Sequence, residues 1–335
     1  MDNPQPMSIS LGEFELIRRC FMRHQAPRPG IALGGGDDCA LLAPRPGMQL
    51  AVSSDMLVEG RHFLSTLAPA RLGHKALAVN LSDLAASGAR PLAFTLALAL
   101  PRAEAPWLDA FAEGLYALAE AHDCALVGGD TTAGPLTLCI TIFGEVPPGA
   151  ALLRSGARAG DELWISHAPG RGLGDARLAL EVFRGTLALP GEAFDRVRDA
   201  MEWPQPRVAL GIALRGLASA AIDVSDGLLG DLQHLLRLSG VGARLQVDAL
   251  PTSPELAAQP QALRRLCQLA GGDDYELLFT VPAARHAEVP EAARVGGCAA
   301  TCIGRIEAEA GVRLQDREGR AVPADFASFD HFKSA

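Results

Sequence analysis

LGGGDDCALL, residues 33–42, sets three glycines and two adjacent carboxylates directly against an apolar run. Glycine gives up backbone entropy on folding, and Asp37 beside Asp38 concentrates charge where Ala40, Leu41 and Leu42 favour burial. Such a stretch is either a surface turn entering a strand or a place where acids are held to bind something. The same grammar of apolar strand, small residues and aspartate recurs in LAVSSDMLVEG (Asp55), ALVGGDTTAG (Asp130), AAIDVSDGLL (Asp223, Asp226) and LAGGDDYELL (Asp273, Asp274). A further acid, Asp83 in LAVNLSDLAASGA, lies inside a helical pattern with apolar residues on both sides. Taken singly, each acid is ordinarily a cap or turn residue. Taken jointly, acids at successive strand ends can converge in one cleft, where their repulsion must be offset by cations. Carboxylates amid small residues suit Mg2+, and aspartate-held metals usually serve a polyphosphate. The set predicts a multi-metal, nucleotide-dependent site acting on an anionic acceptor.

The segments around these acids supply the fold class. QLAVSSDMLV reads as a strand, ARLGHKALAVNLSDLAASGA as a helix closed by Gly88, and PLAFTLALAL and PLTLCITIFGEV as alternating, half-buried strands. APWLDAFAEGLYALAEAHDC is an amphipathic helix, and GEFELIRRCF reads as another with Phe14, Ile17 and Phe21 on one face. Pro and Gly punctuate VPPGA at 146–150. Beyond it come a DELWISH strand, a GLGDARLALEVF helix, a long helical stretch through RVALGIALRGLAS and the ARLQVDAL strand, with a hairpin expected around CIGRIEAEAGVRL. Alternation in both halves predicts α/β architecture (α+β layers) in two domains. GRGLGD, residues 170–175, reads as a glycine turn, with a phosphate cradle at a helix start as the alternative.

Bulk properties exclude several classes. A chain of 335 residues with 49% hydrophobic and 21% charged residues is globular, and its longest apolar stretch, near Leu92–Leu100, is too short to span a bilayer. A net charge of −9 argues against nucleic-acid binding. MDNPQPMSIS carries no secretory pattern, and seven scattered cysteines suit a reducing cytoplasm. Cys298 and Cys302 lack a second cluster to complete a zinc site and read as structural. Lysine occurs only at 75 and 333, so 28 of 30 basic residues are arginine, and no G-x-x-x-x-G-K-[ST] phosphate loop exists. Metals and glycine amides can take the place of its lysine.

GEFELI, GDDCALL, SSDMLVEGRHF, KALAVNLSDLAASGARP, GGDTTAGPL, RSGARAGD, AIDVSDGLLGDL, GGDDYELLFT and FDHF together resemble, in order and over nearly the whole length, the bacterial thiamine-monophosphate kinase family of the aminoimidazole ribonucleotide synthetase superfamily. The resemblance implies ATP-dependent phosphorylation of thiamine monophosphate and a cytoplasmic homodimer. It implies a two-domain fold in which residues 1–148 bind metal and ATP and form the dimer interface. Residues 149–335 would complete active-site clefts between the domains. Metal binding would fall to Asp38, Ser53, Ser54, Asp55, Asp83, Asp130, Asp223 and Asp226. Nucleotide contacts would fall to Gly129, Asp130, Arg154 and Ser225, and substrate contacts to His62, Asp273 and Phe329. No side chain would serve as nucleophile or general base. The family usually has glutamate where this chain has Asp273, one methylene shorter. Asp231 and Asp274 are expected to cap or orient neighbours. Related selenophosphate synthetases would need a reactive Cys in an N-terminal glycine-rich segment, whereas Cys20 sits in a helix. Hydrogenase-maturation relatives end in cysteine, whereas this chain ends in HFKSA.

Overall fold

Two compact units make up the chain: Met1–Asn80 with Pro91–Glu145, and Leu81–Arg90 with Val146–Ala335. The structure, a computed structural model, describes residues 12–22 and 28–323. Phe329 lies outside the described residues.

The first unit opens on α1 (Glu13–Leu16), which widens into a π turn over Ile17–Phe21. The Met22 amide there reaches back five residues to the Ile17 carbonyl, so the regular helix expected over GEFELIRRCF is cut short. β1 (Ile31–Leu33) and β2 (Leu41–Leu42) are antiparallel arms of a hairpin whose loop is the glycine–aspartate stretch. Ile31, Ala40 and Leu42 pack against the buried Leu92, Ala93, Ala125 and Val127. Burial of the arms therefore leaves the two acids at an exposed tip. The unit continues through β3 (Gln49–Val58), α2 (Pro69–Ala86), β4 (Arg90–Leu100), α3 (Ala105–Ala121), β5 (Ala125–Ala133) and β6 (Thr137–Val146). The strands form one sheet in the order β3-β6-β4-β5, with β4 and β5 parallel. Period-two alternation sends Leu138, Ile140 and Ile142 of β6 and Phe94, Leu96 and Leu98 of β4 into the core, which also holds Leu72, Leu77, Phe111 and Leu115 from the helices. Each such side chain contributes about 1.5–3 kcal/mol on burial. The opposite phase of β3 is exposed: Leu50, Val52 and Met56 are 44%, 56% and 56% accessible.

The second unit takes in the last turns of α2 and then β7 (Glu162–His167), α4 (Asp175–Phe183), α5 (Gly191–Glu202), α6 (Val208–Ala213), β8 (Ala220–Val224) and α7 (Leu228–Ser239). It closes with β9 (Gly242–Gln246), α8 (Pro254–Ala257), α9 (Gln261–Ala270), β10 (Glu276–Val281), α10 (Val289–Val295), β11 (Ala299–Glu307), β12 (Gly311–Gln315) and β13 (Ala321–Val322). Of the long helical stretch expected through RVALGIALRGLAS only α6 forms; Pro204 and Pro206 precede it, and a turn with Gly216 at φ 71° follows it. Among the described residues the unit has one sheet, ordered β13-β12-β9-β11-β7-β10-β8. The hairpin expected around CIGRIEAEAGVRL does not form. β9 lies between its two arms, antiparallel to β11 and parallel to β12, with Gly242 opposite both Glu307 and Gly311. Leu228, Leu232 and Leu235 of α7 pack with Ile165, Ile222, Leu245, Leu278 and Ile303 of the sheet. β8 is thereby an edge strand whose C-terminal end leads directly into α7.

Candidate active site

In the second unit the acids meet where β8 ends. Asp223, last but one in β8, is 4% accessible and accepts the Ser82 hydroxyl at 2.8 Å. Burial, and then the neighbouring charge of Asp83, push Asp223 up to about 6, while Arg154 acts in the opposite sense. Asp226 is exposed in the turn that follows, and Gly227 caps α7 without a side-chain acceptor. That role passes to Asp231 in the first helical turn, whose Oδ2 accepts the amides of Ser225 and Asp226, each at 3.1 Å. Burial, and then the charges of Asp223 and Asp226, push Asp231 up to about 7. The capping role expected of Asp231 is therefore what it performs. Ser225 also accepts the Asp273 amide at 2.9 Å, which joins the GGDDYE segment to the same turn. Arg154 is exposed, and its carbonyl accepts the Ser239 hydroxyl, which also takes the amides of Gly156 and Ala157.

GRGLGD is a turn, and at least two of its amides are already used. Gly172 donates to Asp175 and Gly174 to Asp274, both carboxylates of the protein itself. Asp274 meets the orienting role expected of it. Cys298 and Cys302 are free thiols whose Sγ atoms bond to main-chain carbonyls, with no zinc set around them among the described residues.

In the first unit, Asp38 is exposed at the hairpin tip, its amide bonded to the Asp37 carboxylate at 2.8 Å. A Cβ on Gly35 would lie 3.2 Å from the Val127 carbonyl, so the loop runs against the strand that carries Asp130. Gly129 has φ 150° and its Cβ would stand 1.9 Å from the Leu96 carbonyl; only glycine fits. Ser53 and Asp55 share one face of β3 with the buried Leu57. Ser54 points to the other face, where its hydroxyl contacts Cys139, Ile140 and Thr141. A set with Asp55 could therefore use Ser54 only through its main-chain carbonyl. The Asp55 amide donates to Asn80 of α2 at 3.2 Å. His62 Nδ1 accepts the Val58 amide at 3.0 Å, which puts the proton of the neutral ring on Nε2. Asp55 and Asp130 sit on the two edge strands, three strand spacings apart, about 14 Å along the sheet. Among the described residues no three His, Cys, Asp or Glu side chains gather closely enough to form a ready metal cage.

Residues 36–146 match the AIR synthase related protein, N-terminal domain, and residues 158–317 match its C-terminal domain. Thiamine-monophosphate kinase of Salmonella typhimurium is 45% identical over 329 residues, covering 97% of this chain and 99% of the relative. The chain belongs to the thiamine-monophosphate kinase family. The crystal structure of the family member from Stenotrophomonas maltophilia K279a superposes with a TM-score of 0.81 at 45% identity, covering 88% of this chain and 93% of that one. AaThiL complexed with AMPPCP and TMP gives a TM-score of 0.74 at 29% identity, covering 87% and 89%.

Beyond the residues singled out from the sequence, the structure adds Ser82 and Tyr275. Ser82 could have been found as a small hydroxyl residue beside Asp83 in a helix segment rich in Ala and Leu. Tyr275 acts through the conformation of one loop, which no local pattern announces.

Asp274 supports a test of its own. Its Oδ2 is buried without a hydrogen-bond partner, and burial raises its pKa well above the ordinary carboxylate range despite the Gly174 amide. A raised folded-state pKa means that the folded protein binds the proton more tightly than the unfolded chain does. This contribution to stability is full below the unfolded value near 3.9 and is lost as pH rises through the folded value. Asp274→Asn keeps an acceptor for Gly174 and carries no charge. It should raise Tm by a few degrees at about pH 8 and leave it nearly unchanged at about pH 4. An equal shift at both values in a thermal-melt series would exclude the buried acid as the cause.

Proposed function

We propose that this chain transfers the γ-phosphoryl group of ATP to thiamine monophosphate, giving thiamine diphosphate and ADP in thiamine diphosphate biosynthesis. The observation that carries the reading is identity of 45% across 97% of the chain to a thiamine-monophosphate kinase. The ligands of AaThiL, AMPPCP and TMP, correspond to an ATP analogue and the acceptor.

The donor set fits Mg2+. All its members are hard oxygens, and Asp223 is buried beside the charge of Asp83, a pairing that a cation relieves. Asp83, Asp223 and Asp226 would hold the metal in the second unit. Asp38, Ser53, Ser54, Asp55 and Asp130 would do so in the first. Mg2+ normally keeps waters and substrate phosphates, so a closed protein cage is not required. Bound there, it supplies charge neutralisation that lets two phosphate groups approach.

The chain's own residues supply position. Gly129, Asp130, Arg154 and Ser225 orient ATP. His62 offers its ring, Asp273 a carboxylate and Phe329 an aromatic face to thiamine monophosphate, whose thiazolium is a permanent cation. The acceptor is a phosphate monoester with a second ionisation near ~6, already anionic at neutral pH, so no side chain need deprotonate it. Transfer is direct and in line, without a phosphoenzyme. ADP release coupled to stoichiometric thiamine diphosphate should require ATP, Mg2+ and thiamine monophosphate together. Hydrolysis indifferent to the acceptor would refute the reading. A phosphorylated protein recovered after rapid quench, and able to react with the acceptor, would exclude direct transfer.

The protein works as a homodimer in the cytoplasm. The exposed face of β3, with Leu50, Val52 and Met56 in alternate positions, is an apolar surface suited to a second copy. Separation of Asp55 from Asp130 across the sheet also favours a site completed by two copies. Among the described residues no helix is long and apolar enough to cross a membrane.

A further inference from the structure

Among the described residues three non-glycine residues have left-handed φ, and two of them, Asp273 (φ 69°) and Tyr275 (φ 51°), flank Asp274. The Cβ of a bulky residue opposes that conformation, so the surroundings must hold it. They do so at each step. The Asp273 amide bonds the Ser225 carbonyl at 2.9 Å and the Tyr275 amide bonds the Val224 carbonyl at 2.8 Å. The Gly174 amide holds Asp274. From Glu276 onward the chain is locked into β10 opposite Val224, with the Glu276 carboxylate gripped by Arg207 and the Ser166 hydroxyl. In an extended strand the side chains of residues two apart stand roughly parallel on one face, about 7 Å apart. Here the loop folds the ring back, and the Tyr275 hydroxyl donates to Asp273 Oδ1 at 3.0 Å.

We propose that Tyr275 is a positioning residue for the acceptor, fixing the Asp273 carboxylate in the orientation that meets the cationic thiamine moiety. The inference rests on the reading of Asp273 as a substrate contact. Tyr275 is 8% accessible and packed, whereas Asp273 is half-buried, so the donor is rigid and the acceptor group is reachable. An aspartate one methylene shorter than the family's glutamate has less reach, so its placement depends more on what holds it. A carboxylate fixed before binding spares the cost of ordering it on binding. That saving belongs to thiamine monophosphate and not to ATP.

Tyr275→Phe keeps the ring and removes the donor. It should raise KM for thiamine monophosphate about three- to tenfold, with kcat, KM for ATP and Tm nearly unchanged. Asp273→Ala should raise the same KM at least as much, and the double variant should match Asp273→Ala, because the hydroxyl acts through that carboxylate. Fully additive effects, or a normal KM in Tyr275→Phe alongside a raised one in Asp273→Ala, would overturn the role of Tyr275 and leave Asp273 a substrate contact. A normal KM in Asp273→Ala would remove both. A parallel rise in both KM values with a lowered Tm would make Tyr275 a packing residue and overturn the proposal.

Discussion

Replacing Asp83 or Asp223 by asparagine is expected to cut turnover by roughly 10²–10³-fold while leaving the metal-free protein as stable as before, or more so. The two effects have one origin. Asp223 is buried 4% accessible, with the charge of Asp83 close enough to raise its titration to about 6. Two carboxylates that repel in the absence of a cation are a stability cost, and asparagine removes one charge without removing the acceptor that the Ser82 hydroxyl uses. The measurement is kcat under saturating Mg2+ beside Tm in chelator. Added Mg2+ should raise the Tm of the parent and barely move that of Asp223→Asn. Variants that melt early in chelator yet turn over normally when folded would make these acids structural and defeat the metal assignment.

A mixture of two inactive variants should recover activity. Asp55→Asn and Asp130→Asn change opposite edges of the four-stranded sheet, and neither homodimer should turn over. If one copy's Asp55 works with Asp130 of the other copy, each mixed dimer contains one unaltered site. The isolated mixed dimer should then give about half of the parental turnover, and the unfractionated random mixture about a quarter. Co-refolded chains carrying different tags, assayed after isolation of the mixed species, provide the measurement. No recovery in a verified mixed dimer would place both residues' work within a single copy. Val52→Arg offers an independent check, because a charge on the exposed β3 face should shift the oligomer to monomer in size-exclusion chromatography and abolish the recovery.

Much of the local structure is legible in short windows of the sequence. Period-two alternation in QLAVSSDMLV gives β3 over Gln49–Val58, and the helix ended by Gly88 is α2. Those outcomes follow from backbone sterics and from which residues avoid water, both properties of a short window. The glycine–aspartate grammar was equally legible, because a glycine forced to φ 150° at Gly129 leaves its mark in the residue type. Where a window carries two compatible readings, the wider structure chose. CIGRIEAEAGVRL has the pattern of a hairpin, yet β9 pairs with both arms because the sheet gains two ladders where a hairpin gains one. Alternation also separates Ser54 from Ser53 and Asp55, although the three are neighbours in the chain. Only the tertiary structure brought Ser82 to Asp223, 141 residues away, and let the carboxylates of Asp175 and Asp274 take amides that a phosphate cradle would need. The physical reason is range: propensity and burial act within a few residues, whereas the meeting of two acids depends on loop closures and pairings that no single segment encodes.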